Sequence, residues 1–122
     1  MTQGAGFVPG LHKIEDYGNG GFRFAGMSHR GSIFALPTGV RAIPLTKPDE
    51  IDAVTLDPAI TEKVDLLIVG TGEALVPLPA PLRTRLRSAG VGCEVMATGT
   101  AVRAYNMLID ESRRLGALLI AV

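Results

Sequence analysis

The 122-residue chain has a single cysteine, Cys93, no tryptophan, and aromatic residues at only 5% of positions. One thiol excludes an internal disulfide and leaves too few ligands for a zinc–thiolate or iron–sulfur site. The two histidines, His12 and His29, are isolated and lack the spacing of a metal pair. Net charge is missing as well: twelve Lys and Arg balance twelve Asp and Glu for a formal +0, so no overall field recruits nucleic acid or an anionic membrane. No apolar run approaches the ~20 residues that span a bilayer. The opening MTQGAGFVPG lacks the basic-then-apolar pattern of a secretory leader. The expectation is a soluble protein of the reducing cytoplasm, with no transmembrane segment, metal or cofactor; oligomeric state stays open.

Apolar residues, by contrast, make up 47% of the chain. A chain of this length buries about two thirds of its unfolded surface in one core. Residues 1–10 are glycine-rich and aperiodic and are predicted to be a flexible lead-in, with residues 11–122 as a single α/β domain. From His12 to Pro44, the runs KIEDYG, GFRFAG, HRGSIFALP and GVRAIP are separated by glycines and predict an antiparallel meander, with Phe22 and Phe24 inward and Arg23 outward. A short helix is predicted to begin at Asp57-Pro58, acid as N-cap and proline at the first helical position. Strand DLLIVG, basic helix LRTRLRSAG, strand VGCEVM, a long helix from Thr98 to Gly116 and strand ALLIAV then alternate. That order implies parallel strands covered by helices. On the long helix Ala101, Ala104, Tyr105, Leu108, Ile109 and Leu115 recur at helical spacing, and Asp110 precedes Arg114 as a favourable i,i+4 pair.

Gly70-Thr71-Gly72, following an apolar strand, suggests a dinucleotide loop. Such a loop needs a third glycine opening straight into a helix whose amides meet the pyrophosphate. Here Leu75 holds the third position, Glu73 adds a negative charge, and Pro77, Pro79 and Pro81 delay the helix. The glycine pair is therefore read as a turn requirement. Thr98-Gly99-Thr100 does open a helix directly, and its threonines are read as caps for the first amides, with anion binding as the competing role. In a parallel sheet both turns lie at the carboxyl edge, so Gly70, Thr71, Gly72, Glu73, Thr98, Gly99 and Thr100 are expected to line one crevice. No catalytic residue is assigned. His29 reads as a solvated turn residue, Cys93 as an inert buried thiol, and Arg83, Arg85 and Arg87 as a solvated helix face.

The segment from Ile14 to Leu119 resembles a family of small uncharacterised proteins related to mitochondrial respiratory complex I assembly factor 3. The shared features are Gly70-Thr71-Gly72 after a strand, Thr98 and Ala101, then Tyr105-Asn106, Leu108 and Glu111-Ser112-Arg113. The chain departs from that pattern at Ile43, where many relatives carry tryptophan, and at Ala74-Leu75, where they carry polar residues. The resemblance implies a three-layer β/β/α domain, N-terminal antiparallel strands followed by strand–helix alternation with a parallel or mixed sheet. It implies no established catalysis and, through the mitochondrial relative, a protein partner in respiratory-complex assembly. Within its motif, Tyr105, Asn106, Glu111 and Arg113 serve either packing or function. The leading expectation is a non-enzymatic binding or assembly protein; the alternative is a small-molecule or anion binder, or an enzyme, acting at the crevice.

Overall fold

The computed structural model describes residues 6–111 and 113–122. A six-stranded sheet runs in the order β1 (Phe7–Pro9), β6 (Gly39–Ile43), β5 (Ser32–Leu36), β9 (Leu115–Leu119), β7 (Leu66–Gly70), β8 (Gly92–Met96). Strands β9, β7 and β8 are parallel, while β1, β6, β5 and β9 pair antiparallel. A second, antiparallel sheet contains β2 (Ile14–Gly18), β3 (Gly21–Phe24) and β4 (Met27–Arg30). This is the mixed α/β architecture that the strand and helix signals predict.

Strands β5, β7 and β9 are buried on both faces, which is why each reads as an unbroken apolar run. Ile33, Ala35, Ile68, Ala117 and Leu119 face the small sheet (Ile14, Phe22, Phe24) and helix α3 (Thr98–Leu108). Phe34, Leu36, Leu67, Val69 and Leu118 face the opposite way, onto α1 (Ala53–Thr61) and α2 (Ala80–Ser88). The chain steps from β7 to β8 through α2, then returns past β7 to β9 through α3. Right-handed crossovers taken in opposite directions put their helices on opposite faces. Helix α3 therefore shares its side of the sheet with the β2–β4 sheet.

Several boundaries differ from expectation. Helix α1 starts four residues before Asp57, because Asp52 and Thr55 cap it: the Asp52 carboxylate accepts from the Thr55 amide at 2.8 Å. Pro58 then lies inside the helix, where the bond it cannot make belongs to Val54, at an exposed position. Helix α2 begins at Ala80 with Pro79 as its N-cap and Pro81 in its first turn, so these prolines open the helix rather than hold it off. Helix α3 stops at Leu108, and Leu115 and Gly116 belong to β9. The Asp110–Arg114 pair is consequently replaced by a Lys13–Asp110 ion pair at 2.9 Å and by Arg114 donating to the Glu62 carbonyl at 2.7 Å. Phe7–Pro9, within the segment read as a lead-in, pairs with β6; residues 1–5 of that segment lie outside the described residues. The run HRGSIFALP is split between β4 and β5 at Gly31, whose φ is 98°.

Candidate functional site

The two glycine–threonine turns meet, as the parallel strands require: Gly70 and Met96 end β7 and β8 in register. Thr98 joins them. Its amide donates to the Gly72 carbonyl at 2.8 Å, its hydroxyl accepts from the Gly72 amide at 2.9 Å, and the same hydroxyl donates to the Ile120 carbonyl at 2.7 Å. Thr98 is fully buried. One side chain thus sits between the carboxyl ends of β7 and β9 at the root of α3. Thr71 does comparable work locally: its hydroxyl donates to the Ala74 carbonyl at 2.7 Å and accepts from the Val76 amide at 3.0 Å, closing the loop after the strand.

The glycines have separate reasons to be glycine. A Cβ on Gly70 would come within 2.9 Å of the Thr98 Cα, so Gly70 permits the close approach of α3. Gly72 has a φ of 107°, which L side chains rarely adopt. Threonine capping of α3 is not what is found. The N-cap is Ala97, no side chain caps the first turn, and the Thr98 hydroxyl is committed to the two strand ends instead. Among the described residues, the amides of Gly99 and Thr100 have no protein acceptor. Above them lies Tyr17 from β2, whose hydroxyl would be 2.5 Å from a Cβ on Gly99. Glu73 and Thr100 are exposed at the rim, and Gly99 is half-buried. Sequence reasoning misses Tyr17 because the small sheet that carries it is remote along the chain.

Of the motif residues on and after α3, Asn106 has a clear structural role. Its carboxamide accepts from the Ile14 amide and donates to the Ile14 carbonyl, both at 2.8 Å, pinning β2 to the helix. Tyr105 is fully buried in the core between the sheets, and burial pushes its phenol up to about 12. Glu111 and Arg113 are exposed beyond the end of α3.

His29 is a strand residue of β4, half-buried with its ring 6.3 Å from that of Phe24, rather than a solvated turn residue. It borders two cavities, of about 520 and about 380 Å3. The Cys93 thiol is pushed up to about 11 by burial and by the Glu94 carboxylate, the behaviour of an inert thiol. Among the described residues no cluster of His, Cys, Asp or Glu suits a metal, and no helix is long and apolar enough to cross a membrane.

A family model described as "Protein of unknown function (DUF498/DUF598)" matches residues 14–120. The chain belongs to this family. Among DUF498/DUF598 relatives, an uncharacterised protein of Rhodobacter capsulatus is 40% identical over 95% of this chain and 86% of its own. NADH dehydrogenase (ubiquinone) 1 alpha subcomplex assembly factor 3 of Xenopus tropicalis is 28% identical over 88% of this chain and 60% of its own length. The human assembly factor of the same name matches at 28% identity over 59% of its length, so the chain spans little more than half of these relatives. A crystal structure described as an outer membrane protein of Bartonella henselae superposes with a TM-score of 0.88 at 43% identity, covering 93% of this chain and 98% of that one. The Mth938-like domain of a Bordetella pertussis protein superposes at 0.78 with 27% identity, over 98% of this chain and 92% of that one.

Proposed function

We propose that this chain is a non-enzymatic, cytoplasmic binding module that assists assembly of a respiratory complex by engaging a protein partner. The observation that carries this reading is the Thr98 hydroxyl. At the carboxyl edge of the sheet, where open α/β folds hold their ligands, the chain fills the space with its own side chain and uses it to tie β7, β9 and α3 together. Glu73, the carboxylate expected at this edge, is exposed. The family tie to assembly factors supports a partner of the same class, although the match takes in only about 60% of those proteins. Affinity capture of the tagged chain from its source cells tests the reading. Recovery of respiratory-complex proteins is the expected result, and capture of none overturns it. Cell fractionation tests the compartment, with the outer membrane, named for the Bartonella relative, as the contrary result.

A second reading is favoured by one specific feature. The Gly99 and Thr100 amides at the start of α3 have no protein acceptor among the described residues, and the positive end of a helix attracts anions. A thermal-shift series with phosphate, sulfate and small carboxylates tests it: stabilisation that grows with anion concentration supports binding, and a flat response removes it.

A further inference from the structure

We infer that the outer edge of β8 is a docking strand for an extended, acidic segment of a protein partner. This rests on the partner-binding reading above and adds a surface and a chemistry to it. The main sheet has two edges, β1 and β8. Strand β1 is blunted: it has three residues, ends in Pro9, which lacks a donor, and is flanked by Gly6 and Gly10 at positive φ. Strand β8 has five residues, no proline and an unbroken register against β7. The Gly92 amide donates to the Asp65 carbonyl and the Met96 carbonyl accepts from the Thr71 amide, both at 2.9 Å. Backbone groups alternate along a strand, so the N–H and C=O of Glu94 point toward β7 as well, and those of Cys93 and Val95 point outward, as a template for another strand.

Charge selects the occupant. A groove of about 220 Å3 lies between this edge and α2, floored by Val91, Cys93 and Val95 and flanked by Arg83 and Arg87. Arg85 is bound to Asp57, whereas Arg83 and Arg87 make no ion pair among the described residues. A strand laid against β8 puts every second side chain on the α2 side, where carboxylates reach both guanidiniums. A second copy fits poorly. Pairing β8 with itself about a two-fold axis normal to the sheet sets the arginines of both copies on one side of the joint, where like charges repel.

The test uses two fluorescent heptapeptides, one alternating glutamate with valine and one alternating lysine with valine, with amide hydrogen exchange read by NMR. The glutamate peptide is expected to bind and to slow exchange at Cys93 and Val95, and the lysine peptide is not. Arg83→Glu with Arg87→Glu, both at exposed positions, weakens the glutamate peptide about tenfold or more by turning two attractions into repulsions. Val95→Pro, which removes an outward donor, abolishes binding; if it fails to fold, the arginine variant carries the test. Unchanged exchange at Cys93 and Val95, or equal affinity for the arginine variant, overturns the proposal. So does protection of the same amides that grows with chain concentration and no peptide, which assigns the edge to a second copy. Peptide binding in cells whose respiratory complexes assemble normally without the chain leaves the edge standing and removes the assembly role. An assembly defect that the arginine variant fully rescues leaves that role and removes the edge.

Discussion

Replacing Thr98 by valine keeps the shape of the side chain and deletes its hydroxyl. The Gly72 amide and the Ile120 carbonyl, which that hydroxyl satisfies at 2.9 and 2.7 Å, are left buried with their bonds to it gone. Each orphaned group costs about 1–3 kcal/mol, and the added methyl returns about 0.8 kcal/mol. The expected net loss is about 1–5 kcal/mol, a large part of the ~5–15 kcal/mol that holds a small domain together. It corresponds to a fall in Tm of roughly 10 °C. Urea denaturation followed by circular dichroism measures it as a lower midpoint with an unchanged slope. Thr100→Val is the control: Thr100 is exposed, and its replacement shifts stability by less than about 0.5 kcal/mol. Equal midpoints for Thr98→Val and the native chain would refute the account of this residue as the junction of three elements.

Asn106→Ala removes both bonds to Ile14 and is expected to cost about 1–3 kcal/mol, whereas Glu111→Ala, at an exposed site, stays within about 0.5 kcal/mol; urea midpoints for the pair check it. Gly70→Ala sets a Cβ 2.9 Å from the Thr98 Cα and is expected to cost about 1–3 kcal/mol as an overpacked contact, read as a lower Tm. Iodoacetamide labelling of Cys93 is expected to run about a hundredfold slower in the folded chain than in urea at pH 8, since burial lifts the thiol from 9.0 to about 11. The sign follows: the unfolded thiol ionises first, so this group erodes stability as pH rises above 9.0. Equal labelling rates would contradict the burial.

Much of the fold was legible in the sequence because strand alternation and glycine punctuation are local. The Phe22/Phe24 face, the buried β7 run and the meeting of the two turns all follow from such patterns. The end of α3 was not legible, for a physical reason. Strand β9 lies between β5 and β7 and is buried on both faces, so Leu115 continues a helical series as readily as it starts an apolar strand. Strand β1 escaped because a three-residue edge strand takes its conformation from β6 rather than from its own pattern. Asp52-x-x-Thr55 carried a capping signal for α1, and the stronger local cue of Pro58 concealed it. At the site, sequence logic gave Thr98 the nearest available task, capping its own helix, while its partners Gly72 and Ile120 are 26 and 22 residues away. Asn106 reaches Ile14 across 92 residues. Long-range hydrogen bonds leave no period in a sequence.

The most direct test of the assembly role is the amount of assembled NADH:ubiquinone oxidoreductase in source cells lacking this chain, resolved by native electrophoresis and stained for activity. The account predicts less assembled complex, restored by the native chain and restored only in part by Arg83→Glu with Arg87→Glu. Normal levels of active complex in the deleted cells would contradict it.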